Sequence, residues 1–282
     1  MTTTPLVSVI CLCYNHERFV RDAINSVINQ TYAAVELIVI DDASTDGSRA
    51  IIESVVTKNP LIQFIPLREN VGNCKAFNIA LKKTRGDFII DLAADDILLP
   101  IRIQAGVDLL TKLNDSYGVT ISDAEYISEE GKHLNFHSQK FPHQTIPQGD
   151  IYKDVIQRFF ISAPTVMFRR SVIESLGGYD EELAYEDFDF WVRSSRSFKY
   201  CYSDQVLVKK RLVQRSKSHM QYRFGSSQMR STFLVCQKIL YINKDQDEMQ
   251  ALKQRVYYEL RQAMLTFNFK LVIDYLFLLK KI

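Results

Sequence analysis

The stretch Asp91-Leu-Ala-Ala-Asp-Asp-Ile-Leu-Leu-Pro100 sets two adjacent carboxylates, Asp95 and Asp96, where an apolar run ends. A second pair, Asp41 and Asp42, follows the run VELIVI, and a third acidic pair, Glu186 and Asp187, stands just before Phe188 and Trp191. A solvated turn tolerates Asp-Asp, but pairs of carboxylates brought together uncompensated repel and raise one another's pKa. A hard divalent cation with oxygen ligands, Mg2+ or Mn2+, is then the natural resident. Such an ion is usually held by one or two carboxylates plus substrate phosphates, which points to a nucleotide diphosphate. No GxxxxGK[ST] is present and no GxGxxG follows the first apolar run, so a P-loop is excluded. The phosphates are left to the metal and to basic side chains. Glu186-Asp187 at a helix start reads either as a capping group, worth roughly 1 kcal/mol, or as a general base.

The elements that must carry these groups follow from periodicity. Residues 7 to 13 (VSVICLC) are the continuous apolar run of a strand covered on both faces, and residues 17 to 30 repeat apolar residues at helical spacing. The alternation recurs as strand 35 to 40, helix 46 to 57, strand 61 to 66, helix 73 to 83, strand 87 to 92 and helix 100 to 113. Such βα units imply a parallel sheet, with ligands expected beyond the carboxyl ends of its strands. Tyr14-Asn15, Asp41-Asp42 and Asp95-Asp96 stand at three of those exits, while Ser44 and Asp46 suit a helix cap. Further on, GVTISDAEYIS reads as a strand, 132 to 150 as a loop, 151 to 159 as a helix, 163 to 169 as a strand, and Tyr185 to Arg193 as a helix opening.

The bulk numbers narrow the partners. Thirty-five basic residues against 33 acidic ones give no global case for nucleic acid. Five cysteines without a CxxC pair fit a reducing compartment better than a disulfide framework or a zinc ribbon. His133, His137 and His143 lack metal-ligand spacing and read as loop residues. The N-terminus carries neither a basic n-region nor a cleavage site, and no apolar window reaches the ~20 residues that span a bilayer, so a cytoplasmic protein is expected. The basic excess is concentrated at 196 to 231, nine Lys or Arg against one Asp, where an anionic partner is plausible. Residues 247 to 282 read as amphipathic helices ending in Lys280-Lys281, suited to core packing or to peripheral contact with the inner face of the cell membrane.

Taken together, these motifs resemble family 2 glycosyltransferases, whose fold is the nucleotide-sugar-binding GT-A type, an α/β fold with a mostly parallel twisted sheet flanked by helices. The matching stretches are VSVICLCYNHERFVRDAINSVINQTY, ELIVIDDASTDGS, NVGNCKAFNIAL, GDFIIDLAADDILLP and GGYDEELAYEDFDFWVR. The resemblance implies a GT-A domain over 1–212 and leaves 213–282 as a C-terminal helical extension. It implies that Asp42, with Tyr14, Asp41 and Lys75, holds the nucleotide, and that Asp95 and Asp96 form the metal and diphosphate motif. The usual pattern there is Asp-x-Asp-Asp, and here its first position is Ala93. Asp187, or less readily Glu186, would be the base that deprotonates the acceptor hydroxyl. Arg211, Arg215 and His219 would contact the diphosphate. The implied reaction is inverting transfer from a nucleotide diphosphate sugar, expected to be a UDP-sugar, to a glycan or polyprenyl-linked acceptor in polysaccharide biosynthesis. A sugar-1-phosphate nucleotidyltransferase would need a Gly-rich basic loop after the first strand, and CYNHERF offers none. A degenerate glycan-binding module is the reading that Ala93 motivates.

Overall fold

The computed structural model describes residues 4–141, 145–213 and 221–282. In chain order the elements are β1 (Val7–Cys13), α1 (Val20–Ile28), β2 (Val35–Asp41), α2 (Ser48–Val56), β3 (Gln63–Pro66), α3 (Asn73–Leu81), β4 (Phe88–Ala93), β5 (Ile97–Leu98) and α4 (Arg102–Lys112). There follow β6 (Tyr117–Ile127), β7 (His133–Phe136), α5 (Tyr152–Gln157), β8 (Met167–Arg169), α6 (Arg170–Leu176), α7 (Asp187–Ser195), β9 (Lys199–Arg211), α8 (Ser227–Ile242), α9 (Gln246–Leu265) and α10 (Phe269–Leu279). The strands form one mixed sheet in the order β3-β2-β1-β4-β8-β6-β9-β5, with β7 pairing β6 off that path. The first four strands are mutually parallel, as the βα alternation implies, and β1 is buried along its whole length between its neighbours. Helices on both faces account for the absence of polar alternation in VSVICLC.

Two features depart from the sequence expectation. Lys199–Arg211, which its charge marks as an anion-binding segment, is a long strand paired in parallel with β6, because Tyr200, Leu207 and Val208 bury against the core while the lysines flank it. Within 132–150, expected as a loop, β7 turns back on β6.

The core has two clusters, one on each face of the sheet. One gathers α1, α2 and α4 against the strands. The other joins α3, α5 and α7 to Met229, Phe233, Ala251, Val256 and Tyr275 of the last three helices. Arg255 of α9 ties the last helices to the core: it is buried, pairs with Glu259 at 3.3 Å, donates to the Ile156 carbonyl at 2.7 Å, and lies 4.1 Å and 5.1 Å from the Phe159 and Phe188 ring centres. Phe188 directly follows Asp187, so the last helices bear on the acidic pair. Among the described residues no helix is long and apolar enough to cross a membrane.

Candidate active site

The carboxyl ends of β1, β2 and β4 open into a cleft of about 840 Å³. Tyr14, His16, Asp42, Asp91, Ala93, Asp95 and Asp96 line it together with Glu186, Asp187 and Trp191, so residues some 170 positions apart in sequence share one cavity. At the first two exits the chain turns through left-handed residues, Asn15 at φ 57° and Ala43 at φ 59°. Asn15 tolerates that conformation and its side chain accepts from the Thr45 amide at 2.8 Å, whereas a Cβ-bearing alanine there is strained. The two turns hold the β1 and β2 exits together.

Asp42 lines the cleft, and its carboxylate clasps the loop before α3, accepting from the Val71 amide at 2.8 Å and the Gly72 amide at 3.0 Å. Asp41 does not join it, which corrects the expectation that both members of the pair face the nucleotide. Successive side chains on a strand point to opposite faces. Asp41 is accordingly buried away from the cleft, paired with Arg49 at 3.0 Å and accepting from the Ser44 amide. Part of the like-charge repulsion inferred from the sequence is therefore relieved by protein groups. Lys75 is a second correction: it is exposed and does not line the cleft, because the helical turn that aims Asn73 and Ala76 inward turns position 75 outward.

Asp95 and Asp96 are both in the cleft wall. Asp96 is buried and accepts from the Arg211 amide at 2.9 Å; burial first, then the neighbouring Asp95, pushes its carboxyl well above the usual range, with Lys210 pulling the other way. Arg211 lines the cleft, but its guanidinium is spent on the backbone, with Nε donating to the Asp95 carbonyl at 3.1 Å and Nη1 to the Ser128 and Glu129 carbonyls at 3.2 and 2.9 Å. The guanidinium also stacks 4.6 Å from the Phe19 ring centre. The sequence reading has Arg211 contacting the diphosphate; its guanidinium instead braces the Asp95-Asp96 turn. Arg215 and His219 lie outside the described residues.

Across the cleft, Glu186 and Asp187 open α7. The Glu186 side chain makes no cap hydrogen bond; it accepts from the Asn73 amide group at 2.5 Å, with the Cys74 thiol at 4.0 Å. The loop before it is pinned from α8: Ser231 accepts from the Ala184 amide at 2.8 Å, and Lys238 meets Asp180 at 2.5 Å and Asp189 at 2.6 Å. Residues that sequence reasoning did not assign also line the cleft: His16, Asp91, Lys140, Tyr179 and Lys210. Burial, then nearby acids including Asp91, pushes the Tyr179 phenol well above its ordinary range, and its hydroxyl bonds Asp91. Asp91 and Ala93 share one strand face, so alternation along β4 was the signal that could have placed Asp91 in the cleft. Nothing local marked Lys140, whereas Lys210 falls in the basic stretch 196–231.

The residues present fit a divalent ion held by few protein ligands. No group of three or more His, Cys, Asp and Glu among the described residues could cage one, but Asp95 offers a carboxylate to the cleft. Beside it, the His16 Nδ1 is buried without a hydrogen-bond partner. That suits an ion completed by ligand oxygens.

Residues 8–177 match the family described as glycosyl transferase family 2. The chain belongs to that family. Relatives named as uncharacterised glycosyltransferases are 32% identical in Haemophilus influenzae, covering 75% of this chain and 67% of the relative, and 29% identical in Rickettsia typhi, covering 75% and 65%. The chain thus spans just under two thirds of that rickettsial relative. Among solved structures, the Pyrobaculum calidifontis mannosyltransferase in complex with GDP-Man and Mn2+ superposes with a TM-score of 0.70 at 16% identity, covering 94% of this chain and 74% of that one. Staphylococcus aureus TarS 1-349 in complex with UDP-GlcNAc gives 0.69 at 20%, covering 93% and 73%. At such identities the likeness shows the fold, and the family 2 chain has the GT-A architecture.

Proposed function

We propose that this family 2 protein is a metal-assisted glycosyltransferase that moves a sugar from a nucleotide diphosphate sugar, a UDP-sugar, to a hydroxyl of a glycan or polyprenyl-linked acceptor in polysaccharide assembly. The observation that carries the reading is the shared cleft: Asp42, Asp95, Asp96 and Asp187 line one cavity of about 840 Å³, large enough for a donor and an acceptor hydroxyl. Tyr14 offers a half-exposed ring to the base, and Asp42 sits where the ribose would lie. Lys210 and Lys140 supply positive charge for the diphosphate, the part expected of Arg211, Arg215 and His219. Asp95 would hold Mn2+ or Mg2+; bound there, the ion would supply Lewis-acid stabilisation of the departing diphosphate.

Asp187 takes the proton from the acceptor hydroxyl as that oxygen attacks the anomeric carbon. Glu186, whose carboxylate accepts from Asn73, is the second candidate. A single base with no enzyme nucleophile gives one displacement and hence inversion, so an α-linked donor yields a β-linked product. The uncharacterised relatives named glycosyltransferases and the nucleotide-sugar complexes of the structural neighbours support this reading over nucleotidyl transfer.

Membrane contact belongs to the same reading. The turn from α9 into α10 exposes Leu265, Phe267, Phe269, Ile273 and Phe277, beside Lys270, Lys280 and Lys281, and suits the cytoplasmic face of a membrane that carries a lipid-linked acceptor.

The test is release of UDP from UDP-sugars in Mn2+ with acceptor present. Asp187→Asn should lower kcat by about 10²- to 10⁴-fold with little change in donor KM. Full activity in Asp187→Asn would remove it as the base, and indifference of the wild-type protein to every nucleotide sugar would remove the reading as a whole.

A further inference from the structure

The donor-site reading leaves one position unfilled. Where similar chains open the metal motif with a carboxylate, this chain has Ala93, which lines the cleft with a methyl group. On the neighbouring β1 exit stands His16. Its Nδ1 is buried, makes no hydrogen bond among the described residues, and lies 4.0 Å from Asp95 Oδ1. That distance is too long for a hydrogen bond. It does suit two ligands of one ion: with bonds of about 2.1 Å, donors sit roughly 3.0 Å apart at right angles and roughly 4.2 Å apart when opposite.

We propose that His16 is a protein ligand of the divalent cation, binding through Nδ1 beside Asp95 and compensating for the carboxylate absent at position 93. This rests on the nucleotide diphosphate reading above. Both donors are held before any ion arrives. The His16 backbone amide donates to Ser48 Oγ at 2.8 Å and its ring meets Phe19 edge-on at 6.5 Å, while Arg211 grips the Asp95 carbonyl. A site fixed this way loses little order on binding. Phe19 serves both sides, since its ring also carries the Arg211 guanidinium. Ligation requires the neutral imidazole with its proton on Nε2. An imidazole nitrogen is a poor match for Mg2+, which demands near-ideal octahedra and reluctantly gives up its waters, whereas Mn2+, a first-row transition ion, binds nitrogen donors, if more weakly than the later members of its series. The site therefore favours Mn2+.

The experiment uses the full chain with UDP and Mn2+ and reads the ion directly. Pulsed EPR should show ¹⁴N coupling from a directly bound imidazole, absent in His16→Ala and retained in His219→Ala. Titration in the presence of UDP should show Mn2+ held at least about tenfold more weakly by His16→Ala, with a narrower preference for Mn2+ over Mg2+. Mn2+ bound to the wild-type protein with UDP but without nitrogen coupling would overturn the assignment and leave the donor-site reading standing. So would unchanged Mn2+ affinity in His16→Ala. If wild-type protein with UDP binds no Mn2+ at all, the donor-site reading falls and the ligand assignment with it.

Discussion

Arg211 separates two roles that a cleft arginine can play. Three backbone carbonyls, those of Asp95, Ser128 and Glu129, accept from its guanidinium, and the Phe19 ring lies beneath it at 4.6 Å. Arg211→Met leaves those acceptors to whatever water can reach them. Each lost charge-assisted bond costs about 1 kcal/mol at the wetted edge of the cleft, and the lost stacking about another, giving roughly 4 kcal/mol. For 282 residues the unfolding entropy is near 0.6 kcal/mol per degree, so Tm should fall by about 7 °C. Arg211→Lys tests the same point more sharply. A lysine keeps the charge that a phosphate contact needs but cannot reach three carbonyls at once, so most of the loss in Tm should remain. Calorimetry on both variants, with UDP titrated in Mn2+ alongside, decides the matter. A Tm within 1 °C of wild type in Arg211→Met, together with a tenfold loss of UDP affinity restored by lysine, would refute the strut and return Arg211 to the phosphates.

Two further perturbations test how the last helices support the site. Glu259→Ala leaves Arg255 charged and buried without its partner and should cost about 3–5 kcal/mol in urea unfolding, whereas the double change Arg255→Met with Glu259→Leu should recover most of that. A single variant within 1 kcal/mol of wild type would show the pair to be dispensable. On the exposed turn, Phe267→Ser and Phe269→Ser should each weaken partition onto vesicles of anionic lipid by about tenfold, since partial burial of one ring is worth about 1.4 kcal/mol. Sedimentation with such vesicles measures it, and wild-type protein that stays in the supernatant would argue against membrane contact.

Patterns whose period is local were readable without coordinates. The βα alternation of the first 113 residues gave the parallel strands and their order of appearance, because burial on both faces leaves an apolar run and burial on one leaves a 3.6-residue stripe. It placed Asp42, Asp95 and Asp96 at strand exits, and the third acidic pair fell at the start of α7 as its surroundings suggested. Period-two alternation could also have separated Asp41 from Asp42, and helical phase could have turned Lys75 outward; neither required tertiary information.

The rest depended on pairings distant in sequence. That Arg211 spends its charge on carbonyls more than 80 residues earlier follows from β9 lying along β6. That Glu186 is tied to Asn73 follows from α3 and α7 meeting at the cleft. Composition marks 196–231 as basic, yet which of its cations reach the cleft is set by strand pairing, and among the described residues these are Lys210 and Arg211. His16 shows the same division of labour. Its place after Tyr14 and Asn15 was visible at once, but the consequence of Ala93 for it was not, because a strand exit brings residues 16 and 95 to 4.0 Å only when β1 and β4 lie side by side. Chemistry-bearing residue types and the elements that carry them are local properties of the chain. The charge each residue meets is a property of the packed sheet.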